Sequence, residues 1–164
     1  MNRRRLDVES WRDALLFTAG NLDTALGGPP IDLNAGNNHR RTLYGAVSRH
    51  DLNGLLRLFD FPDPNLTAEK RPVTIVPLQQ LFVLNSAFMT EQARGLVKQL
   101  AGAKDDTAKI QQAFLRLYGR PASEHEVTMG LDFLAAPNDA KSHLSRWEQY
   151  AQVLLATNEF AFVD

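Results

Sequence analysis

The amino-acid sequence predicts an all-α domain, an irregular fold of about six helices with one long Gly/Pro/Asn-rich non-helical excursion. Apolar residues recur at steps of three and four in about six segments, the spacing that places them on one face of a helix. The stretch Gly20 to Gly54, in contrast, holds six of the ten glycines and includes "GGPPID" and "NAGNN", which do not fit a helix interior. A length of 164 residues indicates one domain, residues 1–164, with a core of its own.

The first helix is predicted to begin after Asp7, whose carboxylate suits an N-cap. Arg5 and Glu9 lie four residues apart, so we expect them to pair on its outer face. Its inward face carries residues at helical spacing, namely Val8, Trp11, Leu15, Ala19 and Leu22.

The middle of the chain alternates between breakers and short helical patterns. "RRTLYGAV" is predicted as a short extended piece, and "LNGLLRLF" as a short helix. Thr74 is the predicted cap of a later helix, and Pro77 fits its first turn, where the missing N–H costs nothing. A new helix is predicted to begin at Asn85 or Ser86.

The last third shows the clearest helix boundaries. Asp105 or Asp106 is predicted to cap a helix that ends at Gly119. Ser123 and Glu126 match a capping box that starts the next helix. After "APNDA" a final helix is predicted, with the core positions Leu144, Trp147, Ala151, Leu154 and Leu155.

Composition excludes several classes of function. Lys and Arg number 18 against 19 Asp and Glu, a net charge of −1, which argues against binding to nucleic acid or anionic membranes. The absence of cysteine excludes disulfides and thiolate zinc sites. No apolar run approaches the ~20 residues of a membrane span. The start, "MNRRRLDVESW", lacks the apolar core of a signal peptide and resembles the interior of a longer protein.

The stretch "LFDFPDPN", residues 58–65, is the first candidate site. Its two prolines hold the backbone extended, and the side-chain oxygens of Asp60, Asp63, Asn65 and Thr67 are of the type that calcium prefers. The spacing matches no EF-hand, however, and Asp residues before and between prolines also cap turns by accepting backbone N–H bonds. Turn chemistry is the favoured interpretation, and no metal site is predicted.

The second candidate is a set of arginines: Arg3, Arg4, Arg5, Arg40, Arg41 and Arg71. The first three precede a helix, where the helix dipole does not favour cations. They either pair with acids, for example in an Arg71–Asp63 fork, or bind an anionic ligand such as an acidic saccharide. Pairing is the favoured interpretation of the arginines. For the alternative, a bound ligand, the predicted binding residues are Asp60, Asp63, Asn65, Arg71 and Arg41.

No catalytic residue is predicted. The four histidines lack the spacing of a metal pair, although two of them, His39 and His50, flank "RRTLY" and can face each other. Ser48, His50 and Asp51 are too close in sequence for a catalytic triad. An alternative is that the acids and arginines above complete a polysaccharide-binding or polysaccharide-degrading site, since glycoside chemistry uses paired carboxyls.

Several blocks in order carry a family resemblance: "RRRLDVESWRDALL", "GNLDTALGGPP", "RRTLY", "LFDFPDPN", "RPVTIVPLQQLFVLNSAF", "LYGRPASEHEV" and "LLATNEFAFVD". Together they resemble the planctomycete PSD-type domain of unknown function, over essentially the whole chain. Ile75 departs from the family pattern, in which a second Thr follows the position of Thr74. The family has no established activity, so the resemblance implies no catalytic residue.

The resemblance does imply a setting. Such domains form the C-terminal part of large exported proteins, after another uncharacterised domain and often a cytochrome-c-like module. It implies an extracytoplasmic location, periplasmic or at the cell surface, with haem in another domain and none in this one. The implied partners are the preceding domains of the same polypeptide.

These expectations favour a non-catalytic interaction or accessory domain of an exported, cytochrome-c-linked multidomain protein. Isolated from its neighbours, such a domain is expected to expose apolar surface and to self-associate. A saccharide is the alternative partner, and nucleic acid is not expected.

Overall fold

The computed structural model describes residues 3–36, 38–138 and 142–163, and within these ranges the fold is helical, as predicted. Two short strands, β1 (Arg4–Arg5) and β2 (Phe162–Val163), pair antiparallel. The helices are α1 (Val8–Thr18), α2 (Gly54–Leu58), α3 (Pro77–Asn85), α4 (Ala87–Gln99), α5 (Asp106–Tyr118), α6 (Glu124–Ala135), α7 (Arg146–Leu155) and α8 (Asn158–Ala161). The predicted breakers "NAGNN" and "APNDA" each contain residues outside the described ranges.

The core is built around α4, which packs against α7, α1 and α3. Met89, Ala93 and Leu96 lie on its inward face and are completely buried, as their spacing predicts. α5 and α6 pack against each other and against α7, so the last third of the chain closes the core from the other side.

Most predicted helix ends are confirmed. Gly119 ends α5 with φ of +70°, a left-handed conformation that glycine adopts without steric cost. N-capping hydrogen bonds occur at Asp7, Ser86, Asp105 and Ser123. Ser145 with Glu148 adds a capping box at α7 that the sequence analysis did not identify.

Two local predictions are wrong. The residue that precedes α3 is Val76, and Thr74 bonds to a distant carboxylate instead of capping the helix. The segment Thr42–Tyr44 forms a single 3₁₀ turn and not an extended piece. The backbone N–H and the hydroxyl of Thr42 both donate to the carboxylate of Asp13 on α1. These two bonds favour the turn over an extended strand.

The excursion between α1 and α2 is fixed to the body by a buried arginine. The side chain of Arg12 on α1 is 1% exposed and donates to the carbonyl oxygens of Asn38 (2.7 Å) and Arg40 (3.0 Å) and to the hydroxyl of Thr42 (3.1 Å). Burial lowers the pKa of Arg12, and neighbouring Asp13 opposes this effect. Carbonyl oxygens therefore replace water around the buried guanidinium.

We predict that Arg12→Met loosens the excursion and lowers the free energy of unfolding by about 3 kcal/mol, because three acceptors lose a charged donor. Urea denaturation measures the loss, and amide hydrogen exchange should accelerate mainly in residues 21–46. Arg146→Met on α7 is the control and should leave exchange in that segment unchanged. A stable Arg12→Met protein with unaltered exchange there would contradict the role given to Arg12.

Candidate functional site

The corner "LFDFPDPN" is the C-terminal cap of α2. Asp60 has φ of +63°, the one left-handed non-glycine residue in the described part of the chain. The N–H of Phe61 donates to the carbonyl of Leu56 at 2.9 Å, which is the 6→1 bond of a Schellman motif with Asp60 in its left-handed position. Phe59 stacks on Trp11 with ring centroids 4.6 Å apart, so the corner is also fixed to the core.

An aspartate occupies this position because its carboxylate accepts three hydrogen bonds. Nη2 of Arg5 lies 2.6 Å from one oxygen, and Thr74 donates through its N–H (2.9 Å) and its hydroxyl (2.7 Å). Burial raises the pKa of Asp60, but the bonds from Thr74 and Arg5 outweigh it and hold the pKa below its ordinary value. Glycine would suit the backbone better but would leave Arg5 and Thr74 without this acceptor.

Arg5 connects the corner to a third element. Its Nη1 donates to the carbonyl of Thr74 and to the side chain of Gln79 (3.2 Å). Gln79 is buried on α3 and donates to the carbonyl of Leu58 at 2.9 Å. Arg5, Asp60, Thr74 and Gln79 thus link β1, the end of α2, the segment before α3 and α3 itself. We call these four residues the Arg5–Asp60 hub.

A cleft of about 670 Å³ opens beside the hub. One wall is the N-terminal segment through β1, another is the corner, and a third is the segment Lys70–Val73. The pairing of Arg5 with Phe162 brings β2 to its rim. Its apolar lining includes Phe59, Val73 and Phe162, and its cationic lining consists of Arg3, Arg4, Arg5, Lys70 and Arg71.

The cleft unites only part of the predicted site. Asp60 and Arg71 line it, whereas Asp63, Asn65 and Arg41 do not. The predicted Arg71–Asp63 fork is wrong, because Arg71 forms a two-bond fork with Glu9 of α1, each N–O distance being 2.9 Å. The predicted Arg5–Glu9 pair is wrong for the same reason.

The other predicted residues have local roles. Asp63 accepts the N–H of Asn65 at 2.9 Å, the Asx turn that the sequence favoured, and the amide of Asn65 donates to the carbonyl of Arg49. Nε of Arg41 lies 3.6 Å from a carboxylate oxygen of Asp13. The corner carboxylates therefore bind different partners and do not converge on one point.

His39 contacts an acid on another helix. Its Nε2 lies 3.0 Å from the carboxylate of Glu91 on α4. The partner of His39 is therefore this acid and not His50. The pair adds a second fixed point between the excursion and the helical body. In the described ranges no group of three or more His, Asp and Glu side chains is arranged to hold a metal ion.

Helix α3 exposes an unusual amount of apolar side-chain surface. α3 and the residue two before it present a row of exposed apolar side chains, with exposed fractions of 73% at Ile75, 63% at Leu78, 53% at Leu81 and 55% at Leu84. Its opposite face, through Phe82 and Val83, packs on the core. The buried position of α3 belongs to Gln79, a residue of the hub.

Comparison with known proteins matches the chain to a protein family. The family model PSD1, described as "Protein of unknown function (DUF1553)", matches residues 1–134. The match includes the hub and the cleft walls except β2, and it stops before α7 and α8, although the sequence resemblance was expected to span the whole chain. No curated protein and no solved structure matches the chain. No helix among the described residues has the length and apolarity to cross a membrane.

Two substitutions at Asp60 distinguish the contribution of its charge to stability from that of its backbone conformation. Asn tolerates the left-handed conformation, so Asp60→Asn should lose only the charged contacts, about 1–3 kcal/mol of unfolding free energy at pH 7. Asp60→Ala should lose about 1 kcal/mol more, because Ala is strained at positive φ. Thermal or urea denaturation of the three proteins measures both steps.

The effect of Asp60→Asn should depend on pH in a defined direction. The pKa of Asp60 is lower in the folded state than its ordinary value of 3.8, so ionisation favours folding. The stability difference should be full above pH 3.8 and should shrink as pH falls through the folded pKa. A difference that is constant across this window, or an Ala variant as stable as the Asn variant, would contradict the assignment.

Proposed function

The chain belongs to the DUF1553 family, whose description names no reaction, and we propose that it serves as a non-catalytic interaction domain. The exposed apolar row of α3 carries this proposal. A helix that is apolar on both faces is found where both faces are covered. In this chain the core covers one face, and the row Ile75, Leu78, Leu81 and Leu84 is open to a partner.

The row has a fixed shape, which suits docking. Gln79 holds the first turn of α3 to the hub, and Gln152 of α7 donates to the carbonyl of Leu84 at 2.7 Å near its end. Both ends of the helix are therefore bound to the body before any partner arrives. A pre-organised surface loses little conformational entropy on binding.

The partner in this proposal is a preceding domain of the same polypeptide. The family resemblance supports this choice, together with an extracytoplasmic setting and a haem carried by another domain. A shared polypeptide also gives the two surfaces a high effective concentration, so a modest apolar row is sufficient for stable docking.

The alternative polysaccharide role requires carboxylates that are open to a ligand. Asp60 is held by Arg5 and Thr74, and Asp63 by Asn65, so both are engaged internally. The pKa of Asp60 is also lowered, whereas a general acid needs a raised value. The geometry therefore favours docking over this alternative.

We predict that the isolated chain self-associates through α3, with a dissociation constant on the order of 10–100 µM, because each chain offers the other an uncovered apolar row. Leu78→Gln/Leu81→Gln should weaken the association by at least about 10-fold, since each Leu loses apolar burial. Sedimentation velocity over a concentration series measures both values.

Leu26→Gln/Leu43→Gln is the matched control, because these leucines are 83% and 70% exposed but lie in the excursion. It should associate as strongly as the unaltered chain. A chain that stays monomeric at several hundred micromolar, or a control that dissociates as readily as the α3 variant, would contradict the proposal.

A further inference from the structure

The cleft beside the hub is lined by more cations than carboxylates. Five cationic residues line it, against two carboxylates, Asp7 and Asp60. Asp60 is paired with Arg5, and Arg71 is paired with Glu9. The side chains of Arg4 and Lys70 form no ion pair or hydrogen bond with any residue of the described ranges. Lys70 therefore has no acid partner among the described residues, and the charge of Arg4 acts on Asp7 without a salt bridge.

Several arginines elsewhere in the chain form ion pairs or hydrogen bonds that complete the fold. Arg120 pairs with Glu126 and Glu159 at 2.6–2.9 Å. Other arginines donate to backbone carbonyls and so complete the fold, namely Arg12, Arg40, Arg116 and Arg146. Arg4 also lies just before α1, where the positive end of the helix dipole opposes a cation. The side chains of Arg4 and Lys70 form no such bond within the described ranges, and they lie in a concave part of the surface beside apolar side chains.

Two cations of the cleft, Arg71 and Arg4, act on Asp7, which lines the same cleft. Burial raises the pKa of Asp7, but the hydrogen bonds from Ser10 and the charges of Arg71 and Arg4 outweigh it and lower the pKa. Arg71, Arg4 and Asp7 all line the cleft, and the two arginines come from different segments of the chain. A concave surface with low-dielectric walls concentrates such a field, which attracts anions into the cleft.

The donors of the cleft are also oriented in advance. The fork to Glu9 uses two of the five N–H groups of Arg71, and its guanidinium lies over the ring of Phe61, 5.4 Å from the centroid. Its remaining N–H groups are held in a fixed plane, which is the arrangement that matches the paired oxygens of a carboxylate, sulfate or phosphate.

The rest of the lining suits an organic body. Phe59, Val73 and Phe162 supply apolar surface between the cations, and Pro72 continues it. A volume of about 670 Å³ falls within the range of small-molecule sites, which combine apolar walls with a few placed polar groups. Inorganic ions alone would leave most of this surface uncovered.

We propose that the cleft binds a small organic anion, with the oxyanion group between Arg4, Lys70 and Arg71 and the apolar body against Phe59, Val73 and Phe162. The site is separate from the docking row, because Leu78 and Leu81 do not line the cleft. Asp60 contributes indirectly by holding Arg5 away from the ligand's oxyanion.

Titration with simple aryl anions tests the proposal. Phenyl sulfate, phenyl phosphate and benzoate should each shift the NMR signals of the Val73 methyls and the Phe162 ring saturably, and their ranking identifies the preferred oxyanion. Inorganic sulfate should bind more weakly than phenyl sulfate because it covers no apolar surface. Benzyl alcohol, which has the ring but no charge, should not saturate, and raised NaCl should weaken binding of the anions.

Arg4→Gln/Lys70→Gln should reduce the affinity for phenyl sulfate on the order of 10-fold or more, since two charged donors are lost. Arg57→Gln/Lys104→Gln removes the same net charge at two exposed positions outside the cleft and should change the affinity less than about 2-fold. Equal affinity in the cleft variant and the unaltered chain would overturn the proposal. Binding of benzyl alcohol as tight as that of phenyl sulfate, or shifts that do not saturate with any of the anions, would do so as well.

Discussion

The ion pair between Arg5 and Asp60 is the constraint on which the arrangement of the functional surfaces depends. Both side chains are mostly buried, with 13% and 12% of their areas exposed. A buried ion pair is stable only when further hydrogen bonds satisfy the remaining donors and acceptors. Thr74 and Gln79 supply those bonds, and in doing so they fix where β1, the corner and α3 lie relative to one another.

This constraint explains why the corner tolerates a left-handed aspartate. A non-glycine residue in this conformation has an unfavourable backbone energy of about 1 kcal/mol, and it persists only where the surroundings compensate. Three donors to the Asp60 carboxylate and the stacking of Phe59 on Trp11 provide that compensation. Arg5 and Asp60 of the hub line the basic cleft, and Gln79 of the hub fixes the helix that carries the apolar row, so one network supports both proposed surfaces.

Local features of the fold were predictable from the sequence, and long-range partners were not. Asp7, Ser86 and Asp105 are caps because capping depends on neighbours within three residues, and Gly119 ends a helix by its own backbone freedom. The ion-pair partners Arg5 of Asp60 and Glu9 of Arg71, in contrast, lie 55 and 62 residues away. The periodicity of a sequence gives no information about contacts between such distant residues. Several acids were also equally plausible partners for each arginine. The outward apolar row of α3 was not predicted, because the polar residue Gln79 occupies the buried position of this helix.

A double-mutant cycle at Arg5 and Asp60 tests the central claim most directly. Arg5→Gln, Asp60→Asn and the double variant are compared with the unaltered chain by urea denaturation at pH 7. If the pair organises the surrounding segments, we expect a coupling free energy of about 1–3 kcal/mol. The double variant should then lose less free energy of unfolding than the sum of the two single variants. Losses that add to within about 0.5 kcal/mol would contradict it, because the two residues would then stabilise the fold independently.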